Sequence, residues 1–452
     1  MKAKDVVELE IESFGMEGEG VAHAGGYTFF VPFALPKEKI KAAVDRVKGT
    51  VVFAHIIKML EASPERVAPV CPLFGKCGGC ALQHVSYEKQ LEIKKQNVLH
   101  LFKKNAGVEL SDLPIEKSEP LFYRNKISLP FGEEAGKPVL GFYKRGTHKV
   151  LAVERCPLHG AWVEPLIAAV VGFARKNGLS VYDEKTGKGL LRHLVARRLP
   201  SAEGFSFSVT VVLNGEKLPK EREFADAVCA ATDGKTSVFV CKNTARNNVI
   251  LSPFIRKIAG PAEIETRLCG GEWELSPLSF LQVNFPVAEK IYSEAARAIP
   301  EGSFVVDAYS GTGIMSALLA KKAAEVVGIE VIKDATLNAA RNAARFGVDE
   351  TVKHLCGEVE DRLPEVVEGK EDYALVVDPP RAGLDESVVK TILSNPPKSI
   401  VYVSCSPATL TRDVARLLRG GYELSSVKLF DMFPQTPHVE TVVQLSYKNY
   451  RS

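Results

Sequence analysis

Hydrophobic and polar positions alternate in short runs over the first 62 residues. VVELEIESF, YTFFVPFALP, KIKAAVDRV and TVVFAHIIKML are separated by turn residues such as GMEGEG. Closely spaced short strands with Gly-rich turns predict a small β-barrel over residues 1–62. ASPERVAP, which starts at Ala62, reads as a linker. After CPLFGKCGGC, the stretch SYEKQLEIKKQNVLHLFKK offers Leu91, Val98 and Phe102 to one face, which predicts a helix from Ser86 to about Lys104. From about Phe122 to Leu251 strand-like runs return, FSFSVTVVLN and SVFVCKN among them, and predict a second, β-rich domain. From about Ser276 strands and helices alternate: FVVDAY, a helix through Met315 to Ala324, EVVGIE, a helix through Ala335 to Phe346, ALVVDPP, SIVYVSC and two late strands. Such alternation predicts a parallel α/β sheet that binds its ligands at the carboxyl ends of the strands.

Composition narrows the class without naming a partner. At 452 residues the chain exceeds what one core serves, and 46% hydrophobic with 25% charged residues is an ordinary globular balance. The 58 basic residues are nearly matched by 55 acidic ones, so a formal charge of +3 says nothing about nucleic acid and any basic surface must be local. The N-terminus lacks a signal-peptide core, and no apolar run approaches a membrane span. The expectation is a cytoplasmic protein with no membrane partner. In that reducing compartment nine cysteines point to metal or catalytic use wherever they cluster.

Three strand ends carry chemistry. VVDAYSGTGI (305–314) is a strand, a glycine-bearing turn and a helix start, and Glu330 ends the next strand, where a carboxylate can accept from ribose hydroxyls. VVDPPRAG (376–383) follows a strand with two prolines that stiffen its exit around Asp378 and Arg381. IVYVSCSPATLTRD (400–413) ends a strand in Cys405 and then opens a helix whose amino end favours thiolate. Neighbouring strands would set Cys405 and Asp378 side by side.

SFLQVN, DAYSGTG, VVDPPRAGL, YVSCSPATLTRD and MFPQTPHVETVV occur in that order, and together they resemble the RNA uracil-C5 methyltransferase family. The resemblance spans the chain: the first domain is similar to a TRAM domain, and CPLFGKCGGC to the iron-sulfur motif of cluster-bearing members. It implies a class I S-adenosylmethionine-dependent methyltransferase domain, Rossmann-like, beside a TRAM/OB-like barrel and a β-rich central domain. The implied division is 1–62 for the barrel, 63–85 with 118–270 for the central domain, and 86–117 with 271–452 for the catalytic domain. By the motif match Cys405 is the nucleophile and Glu440 the base, while Gln282, Tyr309, Glu330 and Asp378 contact the cofactor.

Cys71, Cys77 and Cys80 are spaced C-x5-C-x2-C, and Cys156 begins a second Cys-Pro-Leu. Such a set can bind an iron-sulfur cluster or zinc, and spacing does not choose between them. The resemblance implies a [4Fe-4S] cluster. Cys229, Cys241, Cys269 and Cys356 lie in apolar contexts and read as core. YRNKISLPFG, GFYKRGTHKV and LRHLVARR mix basic residues with aromatics or strands and are candidate RNA surfaces. The implied partner is RNA, ribosomal before transfer RNA, acted on by a monomer. A cytosine-C5 enzyme would carry a cysteine where Pro380 stands, and a radical enzyme would need a Cx3Cx2C loop that is absent. A non-catalytic iron-sulfur RNA-binding protein would leave Cys405 and Glu440 unexplained.

Overall fold

In the computed structural model, which describes residues 1–448, the first long alternating run forms the hairpin Lys39–Lys48 and Val51–Glu61. The six N-terminal strands lie in the order Val6–Glu10, Lys39–Lys48, Val51–Glu61, Tyr27–Val31, Gly20–Ala24, Ser13–Phe14. VVELEIESF is therefore two strands. The chain crosses from one edge of the sheet to the other at Ile11 and Glu12, whose N–H groups donate to the Glu38 and Val21 carbonyls, so the sheet wraps round its own core. The linker is tied down: buried Glu38 accepts from Arg66 at 2.6 Å and from the Leu35 and Ser63 amides.

The second sheet has seven strands in the order Val150–Ala152, Lys137–Tyr143, Lys126–Glu134, Leu191–Ser201, Gly204–Leu213, Lys235–Lys242, Ile255–Ala259. Only the pair Gly204–Leu213 and Lys235–Lys242 is parallel, and the helix Glu221–Ala230 makes its crossover. That helix shares one core with the nearly all-apolar helix Val163–Lys176. Several candidate RNA residues turn inward here. Tyr123 and Phe131 are buried, Arg197 donates to the Ser279 carbonyl at 2.6 Å, and Arg192 donates to the Asn243 and Ala245 carbonyls. A buried guanidinium must find acceptors, and these find backbone. LRHLVARR is thus mainly interior, whereas Lys144 and Arg145 remain on the surface.

The third large sheet has eight strands: Val352–Cys356, Glu325–Glu330, Phe304–Ala308, Tyr373–Val377, Ser399–Ser404, Glu440–Tyr447, Tyr422–Phe430 and Ile115–Glu116. All neighbours are parallel except those of Glu440–Tyr447, which returns antiparallel between its two partners. The first helix after the glycine turn is shorter than the sequence suggests, Ile314–Leu319, because the Ala324 amide is already drawn to Ser303 ahead of the strand at Glu325. The early helix runs Tyr87–Leu101 and widens into a π turn, Phe102–Ala106. Val98, Phe102 and Leu113 pack into the core of this sheet with Leu375 and Tyr402. Two expected core cysteines are exposed: Cys229 lies in the last turn of its helix, and Cys356 ends an edge strand. Cys269 is half-buried, and Cys241 alone of the four is core. Among the described residues no helix is long and apolar enough to cross a membrane.

Candidate active site

Register, not loop folding, brings most of the candidate residues together. Ala308 pairs with Val377 and Val377 with Tyr402, so Tyr309, Asp378 and Cys405 follow at one edge of the sheet. Ser404 stands opposite Thr441 on the antiparallel return strand, which makes Cys405 and Glu440 neighbours across one register step. Pro379 and Pro380 then carry Arg381 toward the same point, and its guanidinium lies beside the Cys405 thiol.

The glycine turn is built for a close ligand. Tyr309 takes a left-handed backbone (φ 68°), unfavourable for an aromatic residue, and Gly311 and Gly313 follow in the same region. A Cβ at Gly313 would lie 2.8 Å from Ala339 and 2.9 Å from His354, so no side chain fits. Both oxygens of Glu330 are held by backbone amides, Gly311 at 3.0 Å and Ile332 at 2.7 Å, which fixes the carboxylate while leaving lone pairs for a diol. Gln282 comes from a separate segment and is buried. Asn125 secures that segment by donating from its side chain to the Gln282 carbonyl at 2.9 Å.

Four acidic groups share this edge, and burial governs them. Desolvation pushes Glu440 up to about 8, with Asp378 raising it further and Arg381 opposing. Desolvation takes Asp378 to about 7. Asp307, also desolvated, rises to about 7 although Ser316 donates to it at 2.5 Å. The Cys405 thiol is raised by burial and by Glu440, with Arg381 pulling the other way. Burial thus favours the protonated forms along this edge, and a cation placed among them would favour their release.

Sequence reasoning named Arg381 but gave it no role, and it missed Asp413 and Lys94. Asp413, fully buried, accepts from the Leu384 amide, the Tyr402 hydroxyl and Arg412, so it pins the DPPRAGL loop to the helix Pro407–Arg419. Lys94, also fully buried, pairs with Asp431 and donates to the Phe433 carbonyl, while Tyr87 donates to Asp431 at 2.8 Å. A signal existed: Gln90 and Lys94 occupy helical spacing with Val98, polar residues inside an apolar stripe.

The loop that carries Cys71, Cys77 and Cys80 lies against the second sheet through the Gly78 amide, which donates to the Tyr143 carbonyl, and against the segment before Glu440 through the Ala81 and Leu82 amides, which donate to the Gln435 carbonyl. Gln83 joins two of the four thiols, accepting from the Cys71 amide at 3.1 Å and donating to the Cys80 sulfur at 3.3 Å, and the Gly79 amide donates to the Cys77 sulfur. Burial pushes Cys80 up to about 12 and Cys156 to about 11, and it raises Cys77. Each of these three is raised further by others of the set. Arg124 faces Cys80 and Cys156. Among the described residues no three His, Cys, Asp or Glu groups converge closely enough to hold a metal ion.

A parallel sheet with one antiparallel return strand, a glycine turn and an acidic second strand end define a class I methyltransferase fold. Residues 272–448 match the tRNA (uracil-5-)-methyltransferase family and residues 4–57 the TRAM domain. The chain is 35% identical to an uncharacterized RNA methyltransferase of Clostridium acetobutylicum, over 98% of this chain and 97% of that protein. It is 38% identical to one of Halalkalibacterium halodurans, over 98% of each. It also resembles the crystal structure of Pyrococcus abyssi tRNA (uracil-54, C5)-methyltransferase in complex with S-adenosyl-L-homocysteine, with a TM-score of 0.78 and 28% identity, covering 97% of this chain and 100% of that one. The chain belongs to the uracil-5-methyltransferase family and is an RNA methyltransferase.

Proposed function

We propose that this protein methylates carbon 5 of uridine in RNA through a covalent adduct on Cys405, with Glu440 as the base. The observation that carries the reading is the register that makes Cys405 and Glu440 neighbours beside Asp378 and Arg381. Carbon 5 of uracil is a weak nucleophile. Attack of the Cys405 sulfur on carbon 6 forms a C–S bond and pushes the ring's electron pair toward carbon 5, which then takes the methyl group. Glu440 next removes the carbon 5 proton. That C–H pair restores the double bond as the C–S bond breaks, and Cys405 leaves as thiolate. Carbon 6 is reachable only if the uridine is flipped out of its stack. Arg381 stabilises the thiolate at both ends of the cycle.

S-adenosylmethionine, when bound, supplies the methyl group as an electrophile on a sulfonium. Gln282, Tyr309, Glu330 and Asp378 would hold it, Tyr309 as an aromatic wall and Glu330 as ribose acceptor. The sulfonium's positive charge suits an edge lined by Asp378, Glu440 and Cys405. A [4Fe-4S] cluster on Cys71, Cys77, Cys80 and Cys156 completes the reading. Its support is an all-sulfur donor set with amide donors to two sulfurs and Arg124 facing it, which suits a site of net negative charge. The methyl transfer moves no net electrons, so the cluster is a scaffold. Residues 1–62 form the RNA-gripping barrel, 63–85 with 118–270 the cluster-bearing domain, and 86–117 with 271–452 the catalytic domain of a cytoplasmic monomer.

We assign ribosomal RNA as the first target. Transfer RNA is the second reading, favoured by the near-complete overlap with the Pyrococcus tRNA enzyme. The test is methylation with labelled S-adenosylmethionine on separate ribosomal and transfer RNA transcripts, using wild type and Cys405→Ala. 5-Methyluridine should appear in one RNA and fall at least about a thousandfold with the alanine variant. Unmodified RNA with wild type, cofactor bound, would sink the reading.

A further inference from the structure

Glu440 opens its strand after an irregular segment, DMFPQTPHV, and its carboxylate takes no hydrogen bond from a described residue. With no side-chain bond to aim it, its placement depends on the register with Ser399–Ser404 on one side and this segment on the other, with the Arg381 and Asp378 charges nearby. The segment is bonded at nearly every step. Lys94 and Tyr87 hold Asp431, Asn284 donates to the Met432 carbonyl at 3.3 Å, and the Tyr123 hydroxyl donates to the Pro434 carbonyl at 3.0 Å.

Gln435 is the centre of the arrangement. It takes a left-handed backbone (φ 68°), a conformation that favours glycine or asparagine, so its glutamine side chain must be needed for something else. Its amide donates to Gln90 Oε1 at 3.0 Å, and its Oε1 accepts from Gln90 Nε2 at 3.1 Å. Its own Nε2 donates to the Pro120 carbonyl at 3.2 Å. Its carbonyl accepts the Ala81 and Leu82 amides, both at 3.0 Å, directly after Cys80. Gln90 is 1% exposed and donates also to the Leu82 and Val85 carbonyls. One glutamine pair thus ties together the early helix, the thiol loop and the segment leading to Glu440.

We propose that Gln90 and Gln435 are a positioning pair that sets Glu440 for removal of the carbon 5 proton, with the thiol loop as the wall they brace against. The proposal rests on the uridine C5 reading. Attack of Cys405 on carbon 6 precedes proton removal, so misplacing the base slows the second half of the reaction and spares the first.

The experiment compares wild type, Gln90→Ala, Gln435→Gly and the double variant. Gln435→Gly keeps the backbone bonds and relieves the left-handed strain, so it reports on the side chain even if Gln90→Ala melts early. Turnover should fall roughly 10- to 100-fold. The KM for RNA and the Kd for S-adenosylmethionine should stay within about twofold, and the covalent RNA–enzyme band on a denaturing gel should hold or grow. The double variant should lose no more than the worse single one, as for groups acting as a unit. Unchanged turnover in both single variants, or a covalent band that falls in step with turnover, would overturn the pairing. If wild type forms neither adduct nor 5-methyluridine, the uridine reading itself fails and this one with it.

Discussion

The catalytic edge and the thiol junction hold the same kind of charge on opposite kinds of scaffold. At the edge, Asp378, Cys405 and Glu440 stand on strand ends fixed by register. At the junction, Cys71, Cys77 and Cys80 stand on turns, and Cys156 on a separate loop. Asp378, Cys405 and Glu440 at the edge and Cys77, Cys80 and Cys156 at the junction are all pushed toward their protonated forms, chiefly by burial. The difference is what holds them. Ladder hydrogen bonds preorganise the edge, whereas the loops of the junction would rely on the cluster proposed above to offset their thiolates.

The sharpest way to break that contrast is at Glu440. Glu440→Gln should abolish turnover and trap the methylated RNA on Cys405, seen as a covalent band on a denaturing gel. It should also stabilise the protein at alkaline pH. The folded-state pKa of Glu440 is raised from 4.5 to about 8, so the folded state binds the extra proton and the group's cost to stability grows as pH climbs through that window. Glu440→Gln should therefore match wild type in Tm near pH 4.5 and exceed it at pH 8.5. A lower Tm at pH 8.5 would show that the carboxylate is not desolvated. Second in size, Cys156→Ser should remove most of the bound iron and lower Tm by several degrees, while S-adenosylmethionine affinity stays within about twofold because the sites are separate. Unchanged iron and Tm would deny the junction its cation. The smallest effect is expected from Arg381→Gln. Losing the guanidinium should move the pH dependence of Cys405 alkylation by iodoacetamide upward. No movement would detach Arg381 from the thiol.

Much of this was legible in the sequence where periodicity carries the information. The βα alternation after Ser276 yields the parallel sheet, and consecutive strands yield Asp378 beside Cys405 as observed. Glu440 was legible only through the family motif. Its place depends on a strand that returns antiparallel between two partners, and no local pattern encodes that. Composition misled where polar residues turn inward. Arg192 and Arg197 look like RNA contacts yet satisfy interior carbonyls, while Cys229 and Cys356, in apolar runs, lie exposed. Gln90 and Lys94 show as polar residues in an apolar stripe, but what they hold does not, because Gln435 and Asp431 lie more than 300 positions away and a buried polar group is explained only by its partner.

The bond between Lys94 and Asp431 spans 337 positions of chain. On a ribosome adding about 5–20 residues per second, the lysine would wait roughly 20–70 s for its aspartate. Throughout that time the helix Tyr87–Leu101 has no finished sheet to cover Val98 or its neighbours. Synthesis thus runs against assembly here: the chain makes this helix early and must keep it harmless until the last strands of the sheet it packs on emerge.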